Sequence, residues 1–118
     1  MAKLFNFLLH PDSFESRKVA VTEILGSRIS TMRVYDGDQP FETGLAHPEY
    51  NLGEAMIVEA YSTHEDALRG HKKWVNLVAL DQLPETIKDC INSEIGQLAA
   101  TFGGPLIYTR QRNAEGHQ

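Results

Sequence analysis

Cysteine is almost absent from this sequence, since Cys90 is the only one among 118 residues. A single cysteine excludes a disulfide within the chain, and it excludes a zinc site built from several thiolates. Scarce cysteine is also typical of proteins made in a reducing compartment. The chain neighbour Asp89 carries a negative charge that disfavours the reactive thiolate. We therefore expect Cys90 to be a packing residue without thiol chemistry.

Long apolar runs and an excess of positive charge are also missing. No stretch approaches the roughly 18 apolar residues of a membrane span. The apolar residues 3–9 are interrupted by Asn6 and followed by His10-Pro11-Asp12, which does not fit a signal peptide. The net charge is −5, which disfavours nucleic acid and anionic lipid. We expect a protein made in the cytoplasm that binds neither a membrane nor nucleic acid directly.

The composition that remains is that of a folded domain. Hydrophobic residues make up 42% of the chain and charged residues 23%, which are ordinary values for globular proteins. A chain of this length buries a substantial core but leaves no room for a second domain of usual size. No repeat or linker divides the sequence. We expect residues 1–109 to form one domain and residues 110–118 to form a polar C-terminal tail.

The clearest local element is a β-hairpin over about residues 18–35. Two β-rich runs flank Gly26-Ser27, and this dipeptide suits a two-residue type II′ turn. With that turn, Val21 is predicted to lie opposite Met32 on the neighbouring strand. The same register predicts further cross-strand pairs, namely Val19 with Val34, Ile24 with Ile29 and Thr22 with Thr31.

A change of period marks the start of a helix after residue 61. The apolar alternation over residues 55–61 predicts a strand, and further strands are predicted at residues 3–9, 41–46 and 106–109. Ser62 with Glu65, or Thr63 with Asp66, supplies a capping box. The apolar residues then recur at helical spacing, so we expect a helix over about residues 63–80. Its predicted inner face comprises Ala67, His71, Trp74 and Val78.

A second helix is predicted over about residues 84–102. Pro84 suits the first helical position, and Gly103-Gly104-Pro105 ends the apolar pattern. Strands followed by helices predict an α+β fold. We expect a two-layer sandwich in which a mostly antiparallel sheet is covered on one face by the two C-terminal helices.

No arrangement of residues predicts catalysis, a metal site or a cofactor. His64 and His71 are seven residues apart on the predicted helix, which separates them by roughly 10 Å and prevents them from sharing one ion. The sequence has no zinc motif, phosphate loop or Ser/His/Asp arrangement with supporting context. We expect His71 to lie at the border of the apolar helix face and to bond to a strand or loop.

The most unusual segment is residues 41–51, a loop-rich stretch that combines aromatic and charged side chains. Loops often carry binding residues, and aromatic groups among polar ones are typical of interface anchors. The predicted partner-binding residues are Phe41, Glu42, His47, Glu49, Tyr50 and Asn51. The structural alternative is a connection between strands in which Tyr50 covers an edge of the core.

Three stretches of this chain resemble a group of small uncharacterised proteins of tailed bacteriophages. They are residues 40–51, residues 57–67 running on into 70–75, and residues 83–85 with the isoleucine-rich segment that follows. The distinctive features are a Phe-Glu-Thr-Gly strand followed by a capped helix with a Gly-His-x-x-Trp motif. The resemblance implies a phage origin, and it supplies no catalytic or binding residues.

From this resemblance and from the lack of catalytic motifs we expect a non-enzymatic phage structural protein. It would be a small virion component, such as a capsid, neck or tail accessory subunit, made in the host cytoplasm and incorporated in the particle. Its expected partners are other phage structural proteins or further copies of itself in a homo-oligomer.

The alternative expectation is an intracellular anti-defence protein that sequesters a nucleotide signal or blocks a host protein. A nucleotide site needs arginines that face the ligand. Arg28, Arg33 and Arg110 would supply them if a dimer brought them together.

Overall fold

In a computed structural model of the protein, residues 17–34, 39–90 and 106–112 are described. Four strands form one antiparallel sheet whose spatial order follows the chain: β1 Lys18–Ile24, β2 Ser27–Arg33, β3 Phe41–Ala46 and β4 Met56–Tyr61. They are followed by the helix α1, His64–Ala79, and by a separate two-stranded sheet of β5, Thr86–Lys88, and β6, Ile107–Thr109. The predicted α+β class is therefore confirmed.

The core lies between α1 and one face of the four-stranded sheet. Alternate residues of a strand point to the same face, and a helix buries the side chains that recur every three or four residues. The largest buried cluster accordingly combines residues of the sheet with residues of α1 and of the segment after it. Its members are Ile29, Leu45, Tyr50, Met56, Val58, Trp74, Val78, Leu83 and Ile87.

The helix predicted over residues 63–80 is confirmed as α1. Thr63 is the N-cap, and its hydroxyl accepts a hydrogen bond of 3.0 Å from the backbone N–H of Asp66. This hydrogen bond satisfies an N–H group that has no partner within the helix. Trp74 is buried with only 8% of its surface exposed, as predicted. In the described part of the chain, no helix is both long and apolar enough to cross a membrane.

The second helix predicted over residues 84–102 is not supported. Residues Thr86–Lys88 form β5, in which Ile87 alone is buried, and β5 pairs with β6. The carbonyl of Pro84 accepts the Tyr50 hydroxyl and the carbonyl of Glu85 accepts the Arg110 N–H. Distant groups thus use carbonyls that a helix beginning here would need. The remainder of this prediction lies largely outside the described residues, as does the strand predicted at residues 3–9.

The hairpin is confirmed, but its predicted turn is wrong by one residue. The turn residues are Leu25 and Gly26, both with positive φ (52° and 77°), which is the type I′ geometry whose twist suits paired strands. Ile24 consequently pairs with Ser27, and Val21 pairs with Ser30 rather than with Met32. The predicted pair of Ile24 with Ile29 is wrong for the same reason.

A β-bulge in β1 overturns the pair predicted between Val19 and Val34. Lys18 is opposite Met32 but Ala20 is opposite Thr31, so Val19 is the extra residue. Its side chain packs beside the cluster of Phe41, Tyr61 and Ala67 under α1. The bulge therefore turns Val19 to the helix-covered face of the sheet.

Candidate functional site

The six residues predicted to bind a partner do not form one surface. Phe41 is buried against Tyr61 and Ala67 on the helix-covered face of the sheet. Glu42 follows it in β3 and therefore points to the opposite face, where it is also buried. Tyr50 is completely buried in the main core cluster. The structural alternative, in which Tyr50 covers an edge of the core, is closer to this position than a surface contact is.

The other three predicted residues lie together in the loop after β3. The ring of His47 is half-buried and packs edge-on against the Tyr50 ring at 5.4 Å between centroids. Its Nδ1 accepts a hydrogen bond of 3.0 Å from the N–H of Glu49. Asn51 has a left-handed backbone with φ of 49°. Local contacts thus hold this loop in one conformation.

Arg110 fastens the loop to the rest of the domain. Its guanidinium is buried and donates to the carboxylates of Glu49 and Asp81 and, at 3.3 Å, to the carbonyl of Leu83. Burial lowers the pKa of Arg110, but the hydrogen bonds to Asp81 and Glu49 outweigh it and raise the pKa overall. Arg110, the first residue of the predicted polar tail, is therefore packed against the loop as part of the folded structure.

A groove of about 500 Å³ lies between the β1–β2 turn and this loop. The turn contributes one wall, and the end of β3 with the loop contributes the other. The lining residues are Glu23, Ile24, Leu25, Gly26, Ser27, Arg28, Ala46, His47, Pro48 and Gly53.

Two leucines at this groove have an unusual combination of exposure and backbone conformation. Leu25 lines the groove with 73% of its surface exposed, and Leu52, beside the lining residue Gly53, is 96% exposed. Both have left-handed backbones, with φ of 52° and 56°. This conformation costs an L-residue about 1–2 kcal/mol relative to glycine. Asparagine or glycine would suit both positions better, so the leucines serve neither turn geometry nor the core.

Polar groups complete the groove. Ser27 lines it and is only 4% exposed, and among the described residues its hydroxyl has no hydrogen-bond partner. A buried hydroxyl without a partner costs folding free energy. Glu23 and Arg28 pair across the hairpin at 3.9 Å with more than half of each side chain exposed. The groove therefore presents apolar groups and charged groups of both signs.

A second polar cluster is a continuous hydrogen-bonded chain beneath α1. The two ring nitrogens of His71 bond to threonines of neighbouring strands, Nε2 to Thr22 at 2.9 Å and Nδ1 to Thr31 at 2.8 Å. The Thr31 hydroxyl lies 2.6 Å from that of Thr43, which is bonded in turn to the Tyr61 hydroxyl at 3.0 Å. The predicted hydrogen bond from His71 to a strand is confirmed. Because both ring nitrogens are engaged, neither is left to bind a metal.

The hydrogen-bonded chain of side chains beneath α1 ends at Glu59. A β-bulge lets Glu59 pair with Thr43 while Ile57 pairs with Gly44, so Glu59 is turned toward α1. Its carboxylate then accepts from Trp74 Nε1 at 2.8 Å, from Lys73 at 2.7 Å and from the Tyr61 hydroxyl at 3.1 Å. Burial raises the pKa of Glu59, but the hydrogen bonds from Lys73 and Trp74 outweigh it and lower the pKa.

The hydrogen-bonded side chains beneath α1 explain the three named residues of the Gly-His-x-x-Trp motif, Gly70, His71 and Trp74. A β-carbon at Gly70 would lie under 3 Å from three atoms of the Tyr61 side chain, so only glycine leaves room for that ring. His71 ties the helix to β1 and β2, and Trp74 ties it to β4 through Glu59. The motif therefore positions α1 on the sheet.

We expect the free energy of unfolding to fall as the pH drops below about 6.5. Burial without a counter-charge lowers the pKa of His71 in the folded state. The unfolded chain, in which histidine has a pKa of about 6.5, then binds more protons, and acid favours unfolding. Urea titrations between pH 8 and pH 5 measure the effect. Burial also lowers the pKa of His47, so His47→Gln is the control, and a flat profile in that variant would contradict the prediction.

Among the described residues, neither Cys90 nor a group of metal ligands forms a further candidate site. The thiol of Cys90 lies 3.7 Å from the carbonyl of Val58, and partial burial raises the thiol pKa, with Asp89 adding to the effect. Within residues 17–34, 39–90 and 106–112, no three His, Cys, Asp or Glu side chains are grouped to hold a metal ion.

No protein-family model matches this chain, and no curated protein or solved structure matches it either. With no matching protein to guide the assignment, the groove is assigned as the candidate site from its geometry alone. Sequence reasoning found His47 and missed Leu25, Ser27 and Leu52. A signal was present, because both leucines precede a glycine, at Leu25-Gly26 and Leu52-Gly53, where a turn usually has asparagine.

Proposed function

We propose that this protein acts without catalysis, by protein–protein contact through the groove, as a small virion component of a bacteriophage. One observation carries the contact function: Leu25 and Leu52 are exposed, strained and adjacent to a recess in the surface. Burying a leucine contributes about 1.5–3 kcal/mol, and a backbone outlier in a folded protein points to function rather than to stability.

The virion role is supported by the resemblance of residues 40–51 and 57–75 to proteins of tailed bacteriophages. It is also supported by the engagement of polar groups that catalysis would need. Both ring nitrogens of His71 are hydrogen-bonded to threonines. The Glu59 carboxylate accepts from Trp74, Lys73 and Tyr61, and the thiol pKa of Cys90 is raised. A capsid, neck or tail accessory subunit requires only a stable domain and a contact surface.

The competing function, sequestration of a nucleotide signal, has less support. Arg28 and Arg33 are five residues apart on β2, which separates them by about 17 Å along the strand. Arg110 is buried in its pairs with Glu49 and Asp81. These three arginines therefore do not converge on one ligand within a single copy of the chain.

Quantitative mass spectrometry of purified virions tests the proposed function. Phage with the wild-type gene should contain many copies of this protein per particle. Phage with Leu25→Asn and Leu52→Asn together should lose at least about 90% of it, since anchor residues dominate binding. The matched control is Leu80→Asn, which alters a leucine that is 62% exposed at the end of α1. Absence of the wild-type protein from virions would overturn the proposal, and normal incorporation of the double variant would overturn the assignment of the groove.

A further inference from the structure

The groove and the leucines beside it lie on one surface patch. Leu25 forms part of the groove wall, and Leu52 is adjacent to Gly53 on the other wall. A two-fold symmetric dimer uses the same patch on both subunits, so this patch must contain both what protrudes and what receives it. The exposed leucines and the adjacent recess meet this requirement.

The charges on the patch are also self-complementary. Its lining contains one carboxylate, Glu23, and one guanidinium, Arg28, so these two charges cancel. Burial lowers the pKa of His47, which keeps the third ionisable side chain neutral near pH 7. Two copies that each carry a net charge of −5 repel one another, and a locally neutral patch is where they can approach. A two-fold rotation can place Glu23 of each copy near Arg28 of the other.

From these features we infer that the groove is occupied by a second copy of this chain in a symmetric dimer. The inference rests on the proposed contact function of the groove and names its partner. Each copy inserts Leu25 and Leu52 beside the groove of the other. Because only a few apolar side chains are buried, the interface belongs to the small, transient class, with a dissociation constant of about 1–100 µM.

Sedimentation equilibrium of the purified full chain, from about 5 to 500 µM, measures this association. The wild-type protein should change from monomer to dimer across the range. Leu25→Asn with Leu52→Asn should weaken the dimer at least about tenfold. Asparagine tolerates the left-handed backbone, so the melting temperature of the double variant should be unchanged or higher. Leu80→Asn is the control and should leave the dissociation constant unchanged.

Charge exchange tests the symmetry of the dimer separately. Glu23→Arg alone and Arg28→Glu alone should each weaken association, because each puts like charges together across the two-fold axis. The two substitutions combined should restore it. A contact made with an unrelated protein at this groove would give no such rescue in the purified chain.

A wild-type protein that stays monomeric at 500 µM would overturn the inference, as would a dimer that the leucine substitutions leave intact. These failures are distinguishable from failure of the proposed function. A monomeric protein whose double variant is lost from virions contacts a different virion protein through the groove, so the dimer is wrong and the function stands. A groove-dependent dimer that is absent from virions supports the inference and overturns the virion role.

Discussion

Trp74→Ala is expected to lower the free energy of unfolding by about 3–5 kcal/mol, as large-to-small core substitutions of this size do. The indole is 8% exposed and belongs to the main core cluster between α1 and the sheet. Its removal leaves a cavity, and it also removes the Nε1 hydrogen bond to Glu59. Urea unfolding followed by circular dichroism measures the loss without relying on tryptophan fluorescence.

Trp74→Phe separates the two contributions. Phenylalanine keeps much of the ring contact but cannot donate to Glu59, so we expect a smaller loss of about 1–2 kcal/mol. A loss below 1 kcal/mol in Trp74→Ala would contradict the burial of the indole. So would a wild-type emission maximum typical of tryptophan in water.

Gly70→Ala is expected to destabilise the protein by about 1–3 kcal/mol, which is the usual cost of overpacking. The sign of this change in stability is informative, because a glycine-to-alanine substitution within a helix ordinarily stabilises a protein by about 1 kcal/mol. At this position the new methyl group would overlap the Cε1, Cζ and hydroxyl oxygen of Tyr61. Thermal and urea unfolding of the variant provide the measurement.

The control is the same substitution in a Tyr61→Leu background. Leucine lacks the three atoms that the methyl group would meet, so Gly70→Ala should become neutral or stabilising there. The double-mutant cycle then gives a coupling energy of at least about 1 kcal/mol between the two positions. A Gly70→Ala variant that is as stable as the wild type would show that the Tyr61 ring has room to move.

The sequence predicts the elements whose signals are local. Thr63 and Asp66 form a cap because they are three positions apart, and α1 follows from the spacing of Ala67, Trp74 and Val78. The segment after Pro84 has equally good local helix signals, but tertiary contacts make residues Thr86–Lys88 a strand. Its first carbonyls bind Tyr50 and Arg110, which are distant in the chain, and no periodicity reveals that.

The buried hydrogen-bonded chain was not predictable for a similar reason. Thr22, Thr31 and Thr43 are ordinary strand residues in the sequence, and only the pairing of three strands places their hydroxyls near His71 and Tyr61. The predicted turn at Gly26-Ser27 placed Thr22 directly opposite Thr31, whereas Thr22 pairs with Ile29 in the structure. Because the correct turn shifts each cross-strand pair by two positions, Val21 and Met32 still share a face.

The groove combines predicted and unpredicted residues. Segment 41–51 was singled out for its aromatic side chains, yet Phe41 and Tyr50 belong to the core, and His47 is the one that lines the groove. The exposure of Leu25 and Leu52 is hard to predict because leucine in a sequence predicts burial. The glycine that follows each leucine is the one sequence sign of a turn, and the positive φ in the structure establishes it.

The hydrogen-bonded chain beneath α1 links the tautomer of His71 at one end to the charge of Glu59 at the other. The Glu59 carboxylate only accepts hydrogen bonds, so it favours Tyr61 as a donor. The Tyr61 hydroxyl has one proton and lies within reach of both Glu59 and Thr43. When that proton goes to Glu59, the hydroxyls of Thr43 and Thr31 each donate toward Glu59. Thr31 is left to accept from the ring, so His71 carries its proton on Nδ1, and Nε2 accepts from Thr22. Neutralising Glu59 would remove this preference, and the whole row of protons could reverse direction without any heavy atom moving.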